Sequence, residues 1–255
     1  MNYIDIHCHL DFPDYDTDRE DVIVRAQAEG VGIINVGVDI PTSRKVIGLA
    51  ETHDNMWATV AIHPNHTGEP FDIVELSKLA RHPKIVAIGE CGLDYFRTAE
   101  DGIARQREVF LQHIILANEV NKPLMLHVRN GKENKSAYRD AIDLLKHHSK
   151  VGANFHCFAG SMEELRSVLD IGATVSFTGI VTFTKDYDEV VKNVPIDRIM
   201  SETDAPFLSP IPYRGKRNEP LYIKDITAKL ASIRGVPTTE LAQNIIDNAR
   251  RIFSI

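Results

Sequence analysis

The sequence predicts a TIM (β/α)8 barrel in a single α/β domain, and three observations predict it. Short apolar runs rich in β-branched residues alternate along the chain with longer segments of helical period, the pattern of a parallel sheet with helical crossovers. Eight such runs occupy the 255 residues, which suits a barrel that folds as one unit. Histidines and acids interrupt these runs, and they do so at the carboxyl end. That third observation favours the barrel over a doubly wound open sheet, because a barrel brings its strand ends to one mouth.

The strands are expected at 3–10, 32–38, 56–63, 85–93, 123–128, 151–158, 174–179 and 198–204. The first closes on His7-Cys8-His9, and side-chain alternation puts both imidazoles on one face and Cys8 on the other. The third ends in His63, the fourth carries Glu90, the fifth His127 and the sixth His156. The eighth ends in Glu202-Thr203-Asp204, with the two acids on one face. Helical stretches follow the strands; in 105–121, Val109, Phe110, His113, Leu116 and Ala117 recur at spacings of three and four and form one apolar stripe. No Pro-, Gly- or Ser-rich linker divides the chain, so residues 1–255 are read as one domain.

Composition narrows the functional class. With 43% hydrophobic and 25% charged residues, the chain has the balance of a globular protein in water. No apolar run approaches the roughly 20 residues of a membrane helix, and the opening Met1-Asn2-Tyr3-Ile4-Asp5-Ile6 carries no export signal. A cytoplasmic location, no membrane partner and a monomer are expected. Cys8, Cys91 and Cys157 are too few and too widely spaced for a disulfide framework or a four-thiolate zinc site, and alternation turns them outward as packing residues. A net charge of −7 argues against coating nucleic acid by bulk electrostatics, but not against nucleic acid as a substrate met at a metal site.

His7, His9, Glu90, His127, His156 and Asp204 are therefore the expected metal ligands. Each interrupts an apolar strand at the same end, and buried without partners each would cost several kcal/mol. Imidazole and carboxylate without thiolate suit magnesium, manganese or zinc. His7, His9 and Asp204 can hold one ion and His127 and His156 a second, with Glu90 bridging them as a two-metal site.

Several ordered segments resemble the signatures of the TatD family of metal-dependent deoxyribonucleases, within the amidohydrolase-like superfamily. They are His7-Cys8-His9-Leu10-Asp11, Ala61-Ile62-His63-Pro64, Gly89-Glu90-Cys91-Gly92-Leu93-Asp94-Tyr95, His156-Cys157-Phe158-Ala159-Gly160-Ser161, Ser201-Glu202-Thr203-Asp204-Ala205-Pro206, and the stretch from Pro212 to Pro220. The resemblance implies a barrel that hydrolyses phosphodiester bonds of DNA as an exonuclease of the 3′-5′ type, commonly with magnesium. Ala61 stands where glycine is usual, and Asn65 and His66 follow Pro64 where histidine is common first.

On that reading a metal-activated water attacks phosphorus, and Asp204, Glu90, His63 and Glu202 form the catalytic set. Asp204 acts as general base, and Glu202 orients or lines the interior. His63, Arg129, Tyr95 and Arg214 are candidate substrate contacts, with Lys216 and Arg217 read as solvated surface charge. Tyr95 and Phe96 offer rings for stacking an unpaired base of single-stranded DNA or a frayed end, or else cap the barrel. The alternative is hydrolysis of an amide or ester, including deacylation of an aminoacyl-nucleic acid. Enzymes of that kind often bridge their metals with a modified lysine on strand four, whereas Lys84 lies at the wrong end.

Overall fold

The β-branched runs form strands at every expected place in the computed structural model, which describes residues 1–68, 71–132 and 136–255. The strands are β1 (Tyr3–Cys8), β2 (Val31–Val36), β3 (Met56–Val60), β4 (Ile85–Asp94), β5 (Leu124–Arg129), β6 (Ala153–Phe155), β7 (Thr174–Phe177) and β8 (Ile199–Ser201). They form one parallel sheet in sequence order. β8 returns to β1 through a parallel bridge between Cys8 and Ala205, with Asp204 N donating to His7 O at 2.9 Å and His9 N to Ala205 O at 2.7 Å. The sheet thus curls into a nearly closed TIM barrel.

Helices separate the strands as α1 (Arg19–Ala28), α2 (Ile40–Thr52), α3 (Ile73–Ala80), α4 (Ile103–Val120), α5 (Ala137–His148), α6 (Met162–Asp170) and α7 (Asp188–Asn193). After β8 come α8 (Ile223–Arg234) and α9 (Thr238–Phe253), and α9 packs on both β1 and β8. Capping boxes start two of them: Asp39 with Thr42 opens α2, and Ser161 with Glu164 opens α6. The expected stripe on α4 is its buried face, with Val109, Phe110, His113, Leu116 and Ala117 all packed inward. Among the described residues no helix is long and apolar enough to cross a membrane.

The strands stop earlier than the alternation suggests. His9, His63, His156 and Asp204, read as strand ends, lie beyond the last paired residue of β1, β3, β6 and β8. The backbone has left the ladder there, and Cys157 and Asp204 take left-handed φ values of 44° and 53°. β4 does the opposite and runs one residue past its expected end, to Asp94. β4 also lies very close to β5: Gly92 has φ 131°, and a Cβ there would sit 2.2 Å from His127 O, so only glycine lets Glu90 and His127 approach.

Inside the barrel, below the carboxyl ends, the packing is partly polar. Asp5, Asn35, Thr59, Asn154, Thr174, Ser176, Ser201 and Glu202 are fully buried among the apolar core. Four of them form a chain across strands, with Thr174 donating to Asn154, Asn154 to Ser176, and Ser176 to Glu202 at 3.0, 2.9 and 3.0 Å. Hydrogen bonding of this kind makes a polar interior tolerable, while Asn35 Nδ2 and Thr59 Oγ1 stay unpaired among the described residues.

Candidate metal centre

Side chains from, or just beyond, β1, β4, β5, β6 and β8 meet at the barrel mouth. His7 and His9 share a face of β1, and their Nε2 atoms are 3.2 Å apart. Asp204, carried back toward β1 by the bond to His7 O, places Oδ1 3.8 Å from His7 Nε2 and 3.5 Å from His9 Nε2. Glu90 enters between the strands with its two oxygens facing opposite ways. Oε2 faces His7 and His9 at 3.4 and 3.7 Å, and Oε1 faces His127 Nδ1 and His156 Nε2 at 2.9 Å each. His156 Nε2 and His127 Nδ1 are themselves 3.4 Å apart. All six expected ligands are thus brought together.

The far nitrogens of these rings explain which nitrogens face inward. His9 Nδ1 donates to Val36 O at 3.0 Å, which leaves the Nε2 lone pair for the centre. His127 Nε2 donates to Asp94 Oδ2 at 3.1 Å, which leaves Nδ1 inward. Glu202 lies 3.4 Å from His156 Nδ1 and 4.0 Å from His7 Nδ1, while accepting from Cys157 N and from Ser176 Oγ. Its oxygens accept from those two donors, and its charge lies behind the His156 and His7 rings, whose Nδ1 atoms make no hydrogen bond of their own. Carboxylates behind histidines fix tautomer and orientation in this manner. Asp94 stands in the Gly89-to-Tyr95 segment without a role assigned from sequence, although it shares the parity of Glu90; it is fully buried and also accepts from Asn65 Nδ2, Phe96 N and Arg97 N.

The donor set fits a divalent cation. An imidazole nitrogen or carboxylate oxygen binds such an ion at about 2.0–2.2 Å, so two donors on one ion lie roughly 3.0–3.5 Å apart, and the separations among His7, His9, Glu90 and Asp204 are 3.2–3.8 Å. Among the described residues three sets of three donors each gather within 4.8 Å: His7 with His9 and Asp204, His7 with His156 and Glu202, and His63 with Glu90 and His127. The electrostatics agree. Burial alone would raise the Glu90 carboxyl, but His63, His156 and His7 outweigh it and hold it well below the usual range. Asp204 is lowered against its burial by His9, His7 and His156. Burial is likewise outweighed at His9 by Asp204 and Glu90, at His127 by Asp94 and Glu90, and at His156 by Glu90 and Glu202, and all three imidazoles are raised. At His7 burial wins and lowers it. A buried set of anions draws positive charge, whether protons or a cation.

His63 sits on the rim of this cluster, with Nε2 3.2 Å from Glu90 Oε1. Its Nδ1 accepts from Asn65 N at 3.1 Å, so in the neutral ring Nε2 carries the proton and points inward as a donor. Burial lowers its pKa and favours that neutral form. Arg129 is exposed and lies over the Phe96 ring at 4.0 Å, and Arg214 lies over Phe183 at 3.9 Å while donating to Ser209 O. Tyr95 is not presented for stacking: it is buried, and its hydroxyl donates to Asp140 at 2.8 Å. Phe96 remains half exposed. Lys216 is exposed, while Arg217 forms a bidentate pair with Asp18 at 2.7 Å. The three cysteines are free thiols; burial pushes Cys8 and Cys91 well up and Cys157 to about 12.

Residues 4–254 match the family described as TatD related DNase. The chain is 41% identical over 262 residues to an uncharacterized metal-dependent hydrolase, YabD, of Bacillus subtilis, with 98% of each chain covered. It is 36% identical over 262 residues to a protein of Pantoea ananatis named 3′-5′ ssDNA/RNA exonuclease TatD, covering 98% of this chain and 99% of that one. Among solved structures, a TatD homologue of Escherichia coli, YJJV, superposes with a TM-score of 0.89 at 28% identity, covering 100% of this chain and 98% of the other.

Proposed function

The chain belongs to the TatD related DNase family, and from that premise we propose that it is a divalent-metal-dependent hydrolase cleaving phosphodiester bonds of DNA, an exodeoxyribonuclease of the 3′-5′ type. The observation that carries the reading is the orientation of Glu90, whose Oε2 faces His7 and His9 while its Oε1 faces His127 and His156. A carboxylate so placed suits a bridge between two ions, one on His7, His9 and Asp204 and one on His127 and His156. Magnesium, manganese and zinc all accept these donors. Such ions supply a water ionised near neutral pH and neutralise charge on the phosphate oxygens.

The chain's own groups do the rest. Asp204, held ionised beside His9, would accept the proton of the attacking water through its carboxylate. His63 offers its Nε2 proton to a phosphate oxygen, as its bond to Asn65 N dictates. Asp94 holds His127 against rotation, and Glu202 sets its negative charge beside His156 and His7. Arg129, the exposed last residue of β5, and Arg214, exposed in the stretch after β8, suit the phosphates of a single strand or a frayed end. Those cations matter in a chain whose net charge is −7.

End-labelled single-stranded DNA, duplex DNA and RNA, incubated with magnesium, manganese or zinc, test the reading. Metal-dependent stepwise shortening is expected, falling about hundredfold or more in Asp204→Asn and abolished in His127→Ala. Folded, metal-loaded protein that leaves every oligonucleotide intact yet hydrolyses an ester or amide would overturn it.

A further inference from the structure

A half-exposed phenylalanine stands beside the metal centre with no part in the cluster itself. Phe207 is 51% exposed, although the turn that carries it is among the most constrained in the molecule. Phe207 N donates to Asp204 O at 2.8 Å. Asn218, fully buried, donates from Nδ2 to Thr203 O at 2.8 Å and to Phe207 O at 2.5 Å, and its own N donates to Pro206 O at 3.1 Å. Tyr15 in turn donates to Asn218 O at 2.6 Å. The backbone is pinned at four points, so the ring is held out toward solvent by construction.

Two further rings make the exposed face a corner. Phe12, following the β1 histidines, stacks on the His9 ring at 4.7 Å and 19°, and meets Phe207 edge to face at 6.1 Å and 74°. Phe207 and His9 are 6.4 Å apart at 62°. An aromatic surface therefore begins at the donor cluster and continues outward. Left in water it is an exposed apolar patch, whereas a flat heteroaromatic ring laid on it gains stacking whatever its hydrogen-bonding edge.

The geometry points to Phe207, backed by Phe12, as the seat of the terminal nucleobase of the strand whose scissile phosphate lies at the metal centre. This rests on the phosphodiesterase reading above and adds a subsite to it. The base stacks on Phe207, its sugar spans the edge of His9, and the phosphate reaches Asp204 and Glu90. Stacking on one ring tolerates every base and demands an unpaired one, so the subsite selects single-stranded ends without selecting sequence.

The test uses full-length wild type, Phe207→Ala and Phe207→Trp with paired single-stranded oligonucleotides. One of each pair carries a normal terminal nucleotide and the other an abasic one, and both ends are probed. In wild type the intact terminus is favoured in kcat/KM over the abasic one. In Phe207→Ala that ratio falls about tenfold or more, carried by KM, and Phe207→Trp restores it. A terminal 2-aminopurine, whose fluorescence is quenched by stacking, is quenched by wild type and by Phe207→Trp and less by Phe207→Ala. If wild type shortens oligonucleotides but Phe207→Ala leaves ratio and quenching unchanged, the subsite is overturned and the phosphodiesterase reading stands. If wild type shortens none, both fall together.

Discussion

The imidazole of His127 is held between two carboxylates, with Nδ1 at 2.9 Å from Glu90 and Nε2 at 3.1 Å from Asp94. On the proposed ligand assignment that division of labour makes Asp94 a positioning residue whose loss is felt in metal binding. Replacing it with asparagine keeps an acceptor for Phe96 N and Arg97 N, but sets an amide N–H against His127 Nε2–H. The ring then relieves the clash by moving its proton to Nδ1, where the inward lone pair was. Asp94→Asn is expected to bind manganese or zinc about 10- to 100-fold more weakly in a calorimetric titration of metal-stripped protein shown to be folded by circular dichroism. Equal affinity in the two proteins would leave Asp94 a purely structural cap. The convergence of His7, His9, Glu90, His127, His156 and Asp204 was legible in the sequence because polar residues punctuate apolar strands at one end. Asp94 escaped because β4 runs past the point where its apolar character stops, and Tyr95 was misplaced because alternation says nothing of a hydroxyl drawn away to Asp140. Phe12 and Phe207 carry no pattern at all, since their neighbours are fixed by turns rather than by a ladder.

At the scale of elements, α4 is tied to the loop after β3 by one buried histidine. His113 donates from Nδ1 to Val109 O at 2.8 Å and accepts at Nε2 from Ile62 N at 3.0 Å, next to His63. Both nitrogens are used in the neutral ring, and protonating Nε2 would turn an accepted bond into two opposed N–H groups. Burial lowers its pKa to about 4. The folded-state value lies below that of the unfolded chain, so the unfolded chain binds more protons in between. The contribution is therefore fully present above about pH 6.5 and is lost as pH falls through about 4, amounting to about 3 kcal/mol across the window. Urea unfolding of metal-stripped protein at pH 7, 5.5 and 4.5 is expected to show His113→Gln less stable than wild type at pH 7 and the gap closing toward pH 4.5. Curves that stay parallel would remove His113 from the acid response. The helix that carries His113 was legible from its stripe, and its ends fell within two residues of the expected 105–121. The strand ends were less so, because β1, β3, β6 and β8 leave their ladders just where the polar residues begin, and a period of two continues in the side chains after the pairing has stopped.

For the whole molecule the weak line is the seam where the barrel closes. β1 and β2 share four registered pairs and β7 and β8 three, whereas β8 meets β1 through the single bridge of Cys8 with Ala205. Outside the barrel the seam is buttressed by Arg25 with Glu219 and Arg217 with Asp18, but half-exposed ion pairs contribute only about 0–1 kcal/mol each. On the proposed ligand assignment one ion is held by His7 and His9 on one side of that seam and by Asp204 on the other, so the metal completes the closure as well as the chemistry. Binding that favours the native state adds stability in proportion to the logarithm of one plus the ratio of free ion to Kd, about a hundredfold in the opening equilibrium at one hundred times Kd. Chelation is therefore expected to accelerate amide exchange at His7, His9 and Asp204 by tenfold or more, while Ile34 and Val36, paired with β3 on the far side of β2, change little. Exchange measured with and without chelator decides it: acceleration spread evenly around the barrel would mean that the ion stabilises the fold as a whole and does not staple its seam.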